Sequence, residues 1–337
     1  IDLAEYQHIA FYNPDSGQQF VVHNYPSFVG TMSGMNESGI MISSNYSISV
    51  KEEMTINGLP YMLMLREVLQ YSTNLDEAIN IIKKTPRTIG LNLMLASAKE
   101  DKAVVVELTA NHLTVRESNQ SYIFTTNMFQ SDKMKEYQAS GWLSSALRDK
   151  RFAELNEKYF GEIDEIIMRN FMRDKFDENS PAGKGLYSGI NSESNLASMV
   201  FAPGKGKLWV GLPIKEGVSP YPADGKFIEI DVGQVWEKGQ PLQNYNTLAP
   251  TTWEDHANNW LKVRDAEVLV EENENKEALK ILNDILAENP EAAYPQFLAG
   301  RIHNRLGNYE KGLEYLNKFI DQPEHPEPYR LLQARFW

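Results

Sequence analysis

By type and place, Asn45, Tyr46 and Asn127 are the side chains best suited to chemistry. Asn45 and Tyr46 end the apolar run that starts at Gly39, and Asn127 follows the run 122–126, so each is expected at the rim of a sheet. An amide N–H held at a strand end can donate to the oxyanion that forms when a nucleophile adds to a carbonyl. Spacing alone favours the plainer reading of the same residues as polar groups that merely end strands. Asn36 and Glu37, inside Met35-Asn36-Glu37-Ser38-Gly39, are expected to make a tight turn, with Gly39 available for positive φ. Conventional machinery is scarce. Six histidines (His8, His23, His112, His256, His303 and His325) lack paired metal-ligand spacing, and neither a Gly-x-Ser-x-Gly elbow nor a Gly-x-x-x-x-Gly-Lys-Ser/Thr loop occurs. With no cysteine, the 337 residues hold no thiol nucleophile and no disulfide, and no metal or organic cofactor is implied.

The elements that must position these groups are short alternating runs punctuated by Gly, Asn and Asp-Ser turns. Residues 9–12 and 19–23 read as a hairpin, 28–32 and 39–45 as two further strands, and 91–97, 103–109, 113–117 and 122–126 as a second group. A third pair, 196–201 and 207–211, is joined across Pro203 and Gly204. Helical spacing appears between the groups. It places Leu63, Leu65, Val68 and Leu69 on one helix and, after the cap-like Ser72-Thr73-Asn74, Leu75, Ala78, Ile79 and Ile82 on a second that ends near Pro86. More helix is expected across 133–177. Strands in groups with helices in groups point to layered α+β rather than a strictly alternating sheet.

The formal net charge of −13 argues against engagement of nucleic acid or an anionic membrane surface, and no apolar run reaches the roughly 18 residues of a membrane span. Beyond a Pro-rich and Gly-rich passage at 213–250 the chain reads as helix. There Leu282, Asn283, Ile285 and Leu286 recur 34 positions later as Leu316, Asn317, Phe319 and Ile320. This period, with Leu306-Gly307-Asn308-Tyr309 leading the second occurrence, resembles the tetratricopeptide repeat, with a third repeat begun at 328–336. Leu282, Ile285, Leu316 and Phe319 should then face inward and Asn283 and Asn317 outward. Such a tail either buttresses the main domain or offers a protein partner a groove.

The ordered set formed by the 32–46 hairpin, Gly58-Leu59-Pro60, Leu65-Arg66-Glu67-Val68-Leu69, Asp76-Glu77-Ala78, Pro86-Arg87, Val104-Val105-Val106-Glu107 and Thr126-Asn127-Met128-Phe129 resembles one family. It is similar to the penicillin acyltransferase-like, self-processing cysteine amidohydrolases, related to bile salt hydrolases and penicillin V acylases, over about residues 6–212. The resemblance implies an N-terminal nucleophile hydrolase fold, an αββα sandwich. It also implies a cysteine, freed by autoproteolysis, that attacks a linear amide while its own α-amino group handles the proton. Asn127 corresponds to the family's Thr-Asn segment, and Asn45 or Tyr46 to its strand-end oxyanion residue.

Departures from the family follow. Its cysteine and first strands belong upstream of the 9–12 strand, and Ile1 cannot serve as nucleophile. These strands are therefore expected either to be missing because the chain is a fragment, the favoured reading, or to lie on another polypeptide, and the chain by itself should be inactive. Ser198 stands in the region where bile salt hydrolases carry an arginine, and Arg148 and Arg151 are expected chiefly in exposed helix salt bridges. The reading is therefore a nucleophile-hydrolase-like domain at 1–250, lacking its first strands, and a tetratricopeptide-like tail at 251–337. Its partner is a small N-acyl substrate. The rivals are a bile salt hydrolase or ceramidase-like amidase on the same scaffold, and a noncatalytic binding module.

Overall fold

The computed structural model describes residues 7–139, 143–174, 189–191, 195, 197–212, 223, 225–239, 245–248, 256–321 and 334–335. Seven strands, β1 (His8–Tyr12), β2 (Phe20–Asn24), β3 (Ser33–Asn36), β4 (Ile40–Tyr46), β5 (Leu91–Ser97), β6 (Lys102–Leu108) and β7 (Leu113–Arg116), form one antiparallel sheet in sequence order. A second antiparallel sheet of β8 (Met199–Ala202), β9 (Lys207–Gly211), β10 (Phe227–Asp231) and β11 (Asn246–Leu248) runs in the order β11-β10-β9-β8.

Side-chain alternation along the strands assigns the layers. Ile40, Ile42, Leu91, Leu93, Leu95, Val104 and Val106 bury against Met64, Leu65, Val68 and Leu69 of α1 (Tyr61–Tyr71) and Ala78 and Ile82 of α2 (Leu75–Lys84). On the opposite face, Val21 and Met35 meet Leu208, Val210 and Ile230 of the second sheet. The far side of that sheet, at Val200, Trp209 and Phe227, carries Met168 of α5 (Glu165–Phe171) and the adjoining Met172. This is the expected αββα order.

Local chemistry explains the element ends. Asn74 caps α2 by accepting from the Glu77 backbone N–H at 2.9 Å, while the Glu77 carboxylate takes the Thr73 N–H at 2.7 Å. Asn36 closes the β3–β4 turn from within: its Oδ1 accepts from Ile40 N, and its Nδ2 donates to Leu69 O and Ser72 O at 2.8 Å each, tying the hairpin to the end of α1. Gly39 has φ +86° there, as the turn requires.

Two expected strands are absent. Residues 28–32 form no strand: Phe28 N–H closes a turn onto Tyr25 O, and Thr31 N–H bonds to Met62 O at the start of α1. Gly30 lies so close to that helix that a Cβ would sit 2.5 Å from the Met62 carbonyl carbon. The strand pairing begins only at Ser33. Residues 122–126 are also irregular, for a reason given below. Conversely, the passage at 213–250 conceals β10, β11 and the short α6 (Val232–Lys238), which is capped by Asp231 and ended by Gly239 at φ +62°.

Between the sheets in sequence lie α3 (Asp132–Lys135), α4 (Leu143–Lys158) and α5. The C-terminal part holds α7 (His256–Glu271), α8 (Asn275–Glu288), α9 (Ala293–Arg305) and α10 (Tyr309–Ile320). Their buried side chains form one cluster drawn from residues 263–334. Within it Leu282, Ile285, Leu316 and Phe319 are each no more than 2% exposed, whereas Asn283 and Asn317 are exposed, as the 34-residue offset requires. Most of 328–336 lies outside the described residues. Among the described residues no helix is long and apolar enough to cross a membrane.

Candidate active site

The site is built on one polar row of the first sheet. In β5, Leu91, Leu93 and Leu95 face the helices, so Asn92 points to the other side, toward the second sheet. Cross-strand register places Asn45 of β4 opposite Asn92, and Asn92 opposite Glu107 of β6. Asn92 and Glu107 are wholly buried. A buried amide or carboxylate loses free energy for each hydrogen-bonding group left unpaired; Asn92 Oδ1 is left so, while Asn92 Nδ2 and the Glu107 carboxylate find partners.

Those partners come from residues 124–131. Asn45 Nδ2 donates to Thr125 O at 3.3 Å, and Asn92 Nδ2 donates to Thr126 O at 2.9 Å and Met128 O at 2.7 Å. Glu107 accepts from Gln130 N at 3.0 Å, Ser131 N at 3.1 Å and Ser131 Oγ at 2.5 Å. As the chain advances from 125 to 131, its anchors move from β4 to β5 to β6. The segment therefore crosses the strands like a strap instead of pairing along one, which is why the strand expected at 122–126 does not form. Arg116 of β7 completes the anchorage, donating from Nε to Glu107 at 3.1 Å and from Nη2 to Phe124 O at 2.7 Å.

Asn127 sits on this strap, and its amide is oriented from both ends. Nδ2 donates to Tyr46 O at 2.8 Å, and Oδ1 accepts from Arg148 Nη2 of α4 at 3.0 Å. Asn45, Tyr46 and Asn127 are thus brought together at the end of β4, though not all in the expected way. Tyr46 contributes its backbone carbonyl while its ring is 41% exposed, and the Asn45 amide holds the strap. Arg148 is not in an exposed helix salt bridge. Burial pushes its guanidinium down to about 10, against the neighbouring Asp149 charge, and it also donates to Ser145 Oγ at 3.1 Å. Arg151 makes the expected helix salt bridge, Nη1 to Glu154 Oε2 at 3.4 Å, and also a largely buried two-point contact with Asp174, Nε to Oδ1 at 3.0 Å and Nη2 to Oδ2 at 2.7 Å, that joins α4 to the end of α5. Asp149 is raised by burial and receives hydrogen bonds from Gln130 and Thr126.

A guanidinium on Oδ1 polarises the Asn127 amide, which strengthens its N–H groups as donors. One of the two Nδ2 hydrogens is used on Tyr46, leaving a second to offer to a ligand oxygen. Sequence reasoning missed Asn92 and Glu107 as site residues. A usable signal was present, because each is a lone polar residue inside an otherwise apolar strand run, Leu91-Asn92-Leu93 and Val106-Glu107-Leu108. Arg148 carried no such signal. A separate groove of about 630 Å³, bordered by Leu59, Ile81 and Pro86, lies at the α1–α2 side and contains none of these residues.

Comparison with known proteins agrees with the sequence resemblance. The chain is 29% identical to protein dcd1B of Dictyostelium discoideum over 115 residues, 34% of this chain and 23% of that protein. It is likewise 29% identical to an uncharacterized protein of Archaeoglobus fulgidus over 111 residues, 32% of this chain and 19% of that one. The chain therefore spans about a quarter or less of the length of these relatives. Among solved structures, a variant of conjugated bile acid hydrolase from Clostridium perfringens is similar with a TM-score of 0.46 and 16% identity, covering 73% of this chain and 90% of that one. The Caenorhabditis elegans ortholog of N-acylethanolamine-hydrolyzing acid amidase is similar with a TM-score of 0.35 and 17% identity, covering 48% and 71%. The model of one sequence family matches residues 2–215, well over half of the 337 positions, and takes in both the polar row and the strap. By that match the chain belongs to the acyl-coenzyme A:6-aminopenicillanic acid acyl-transferase family.

Proposed function

We propose that this chain is part of an N-terminal nucleophile amidohydrolase or acyltransferase that acts on the linear amide of a small N-acyl substrate, with Asn127 as an oxyanion donor. The observation that carries this reading is the Asn127 amide held between Tyr46 O and Arg148, with one N–H directed by its partners and one left to donate. Family membership supports the acyl-transfer chemistry. A nucleophile adds to the amide carbonyl, its proton passes to an adjacent base, and negative charge gathers on the carbonyl oxygen. Asn127 Nδ2–H meets that charge without having to reorganise, which is where such a donor lowers the barrier. Collapse of the adduct expels the amine and leaves an acyl group for water or a second acceptor. Because the 337 residues contain no cysteine, the thiol this mechanism needs is assigned to residues outside them.

The test has two arms. In the complete protein, Asn127→Ala is expected to lower kcat roughly 100- to 1000-fold, the loss usual for one oxyanion donor, in a protein that still folds. An unchanged kcat removes Asn127 from the site. The 337-residue chain alone is expected to release no amine from N-acyl p-nitroanilides; turnover there would transfer the nucleophile role to one of its own serines or threonines.

The same reading assigns residues 1–250 to the acyl-transfer domain and 251–337 to a tetratricopeptide-like domain for a protein partner. Its support is that, among the described residues, the helices bury a cluster drawn from 263–334 and repeat their inward positions at an offset of 34. Expression of 251–337 as a folded, cooperatively melting unit checks the boundary.

A further inference from the structure

We infer that Asn92 is a positioning residue for the Asn127 amide, an inference that rests on the reading of Asn127 as oxyanion donor. Its two side-chain hydrogens go to Thr126 O at 2.9 Å and Met128 O at 2.7 Å, the carbonyls immediately before and after Asn127. One fully buried side chain thus brackets the backbone from which the donor projects. The strap has no strand partner of its own, so nothing in regular secondary structure sets its height above the sheet. Asn92 sets it. Tyr46 and Arg148 then orient the side chain, which is a separate task.

The neighbouring row members divide the remaining work. Asn45 holds Thr125 through a single 3.3 Å bond at one side, and Glu107 holds residues 130 and 131 at the other. Among the described residues, only Asn92 grips both flanks of Asn127. A leucine has the same branching at Cγ but no hydrogen-bonding group, so apolar packing has no need of an amide here. The need comes from the strap.

The test uses the 337-residue chain with ¹⁵N-labelled asparagine, in which the Asn127 side-chain amide pair is assigned by its loss in Asn127→Asp. Asn92→Leu keeps the branching at Cγ, adds some volume and removes both donors. The Asn127 pair is expected to move toward the solvent-averaged position and to exchange about ten-fold faster, the factor expected when a hydrogen bond of ordinary strength is lost. Asn45→Ala should produce a smaller change of the same kind. An unmoved, unaccelerated Asn127 pair in folded Asn92→Leu overturns the inference. Where Asn92→Leu does not fold, Asn92→Ser, which retains one donor, is read by the same criterion. Turnover in the complete protein separates this inference from the functional reading. A released amide with lowered kcat and unchanged KM supports both, whereas a released amide with unchanged kcat upholds Asn92 as positioning residue and removes Asn127 from the chemistry.

Discussion

On α8 and α10 the buried positions recur every three or four residues, Ala278, Leu282 and Ile285 on α8 and Gly312, Leu316 and Phe319 on α10, and all of these are apolar. At the end of the first sheet the buried groups that matter are Asn92 and Glu107, and their partners on the strap lie 23 to 36 residues away along the chain. The helical stack is held by surface removed from water, a non-directional force that asks only for the right face and volume. The strap is held by directed hydrogen bonds, each of which leaves a buried group unpaired if one partner is lost. The two regions therefore respond oppositely to the same substitution. Removing methylenes damages the stack, while removing an amide damages the sandwich.

The largest expected effect that sharpens this contrast is Leu316→Ala, which should cost about 2 to 5 kcal/mol in denaturant unfolding. Leu316 is 2% exposed and packs directly on Gly300, where a Cβ would lie 2.7 Å from the Leu316 Cγ. A cost near zero would mean that the stack is not held by this seam. Asn36→Ala is the sandwich's counterpart. It removes two donors and one acceptor that sit on a wholly buried side chain, strands Leu69 O and Ser72 O, and should cost about 3 kcal/mol, although hardly any apolar surface is lost. If Asn36→Ala proved as mild as a surface substitution, the directed-bond account of the sandwich would fail.

A pH measurement probes the same region. Burial, with the nearby His8 as a second cause, lowers His23 to about 4 from the ordinary 6.5. The folded imidazole is therefore neutral where the unfolded one already binds a proton. Its contribution to stability is whole above about pH 6.5 and is lost as pH falls toward 4, a change of up to roughly 3 kcal/mol. Denaturant melts across that window should show the loss in the wild type and a flatter profile in His23→Asn. A smaller effect is expected from Asn74→Ala, which deletes the α2 cap and should cost about 1 kcal/mol. Smallest of all, Asn317→Ala, one position from Leu316 but exposed, should change stability by no more than about 0.5 kcal/mol. A large cost there would shift the helical register.

The legible part of the site shows why the rest was hidden. Asn127 was recognisable because it stands in a Thr-Asn segment, and Asn45 and Tyr46 because they end a strand. That Tyr46 acts through its carbonyl, and Asn45 by holding Thr125, depends on where the strap crosses, which no window of sequence contains. Arg148 looked like any arginine of an amphipathic helix; only the packing of α4 onto the strap makes it buried and places it on Asn127.

What the sequence determined by itself is whatever short-range periodicity controls. Alternation marked β1, β2, β4, β5, β6, β7 and β9, the three-to-four spacing marked α1, α2 and the C-terminal helices, and a 34-residue offset sorted Leu316 from Asn317. The absence of cysteine also settled that no thiol nucleophile lies among these residues. Tertiary structure decided the rest. It turned 28–32 away from strand pairing to dock on α1, and it laid 124–131 across three strands. The physical reason is that a strand's identity follows from its own side chains. The path of a crossing segment follows from hydrogen-bond partners on other strands, and those partners exist only once the sheet has formed.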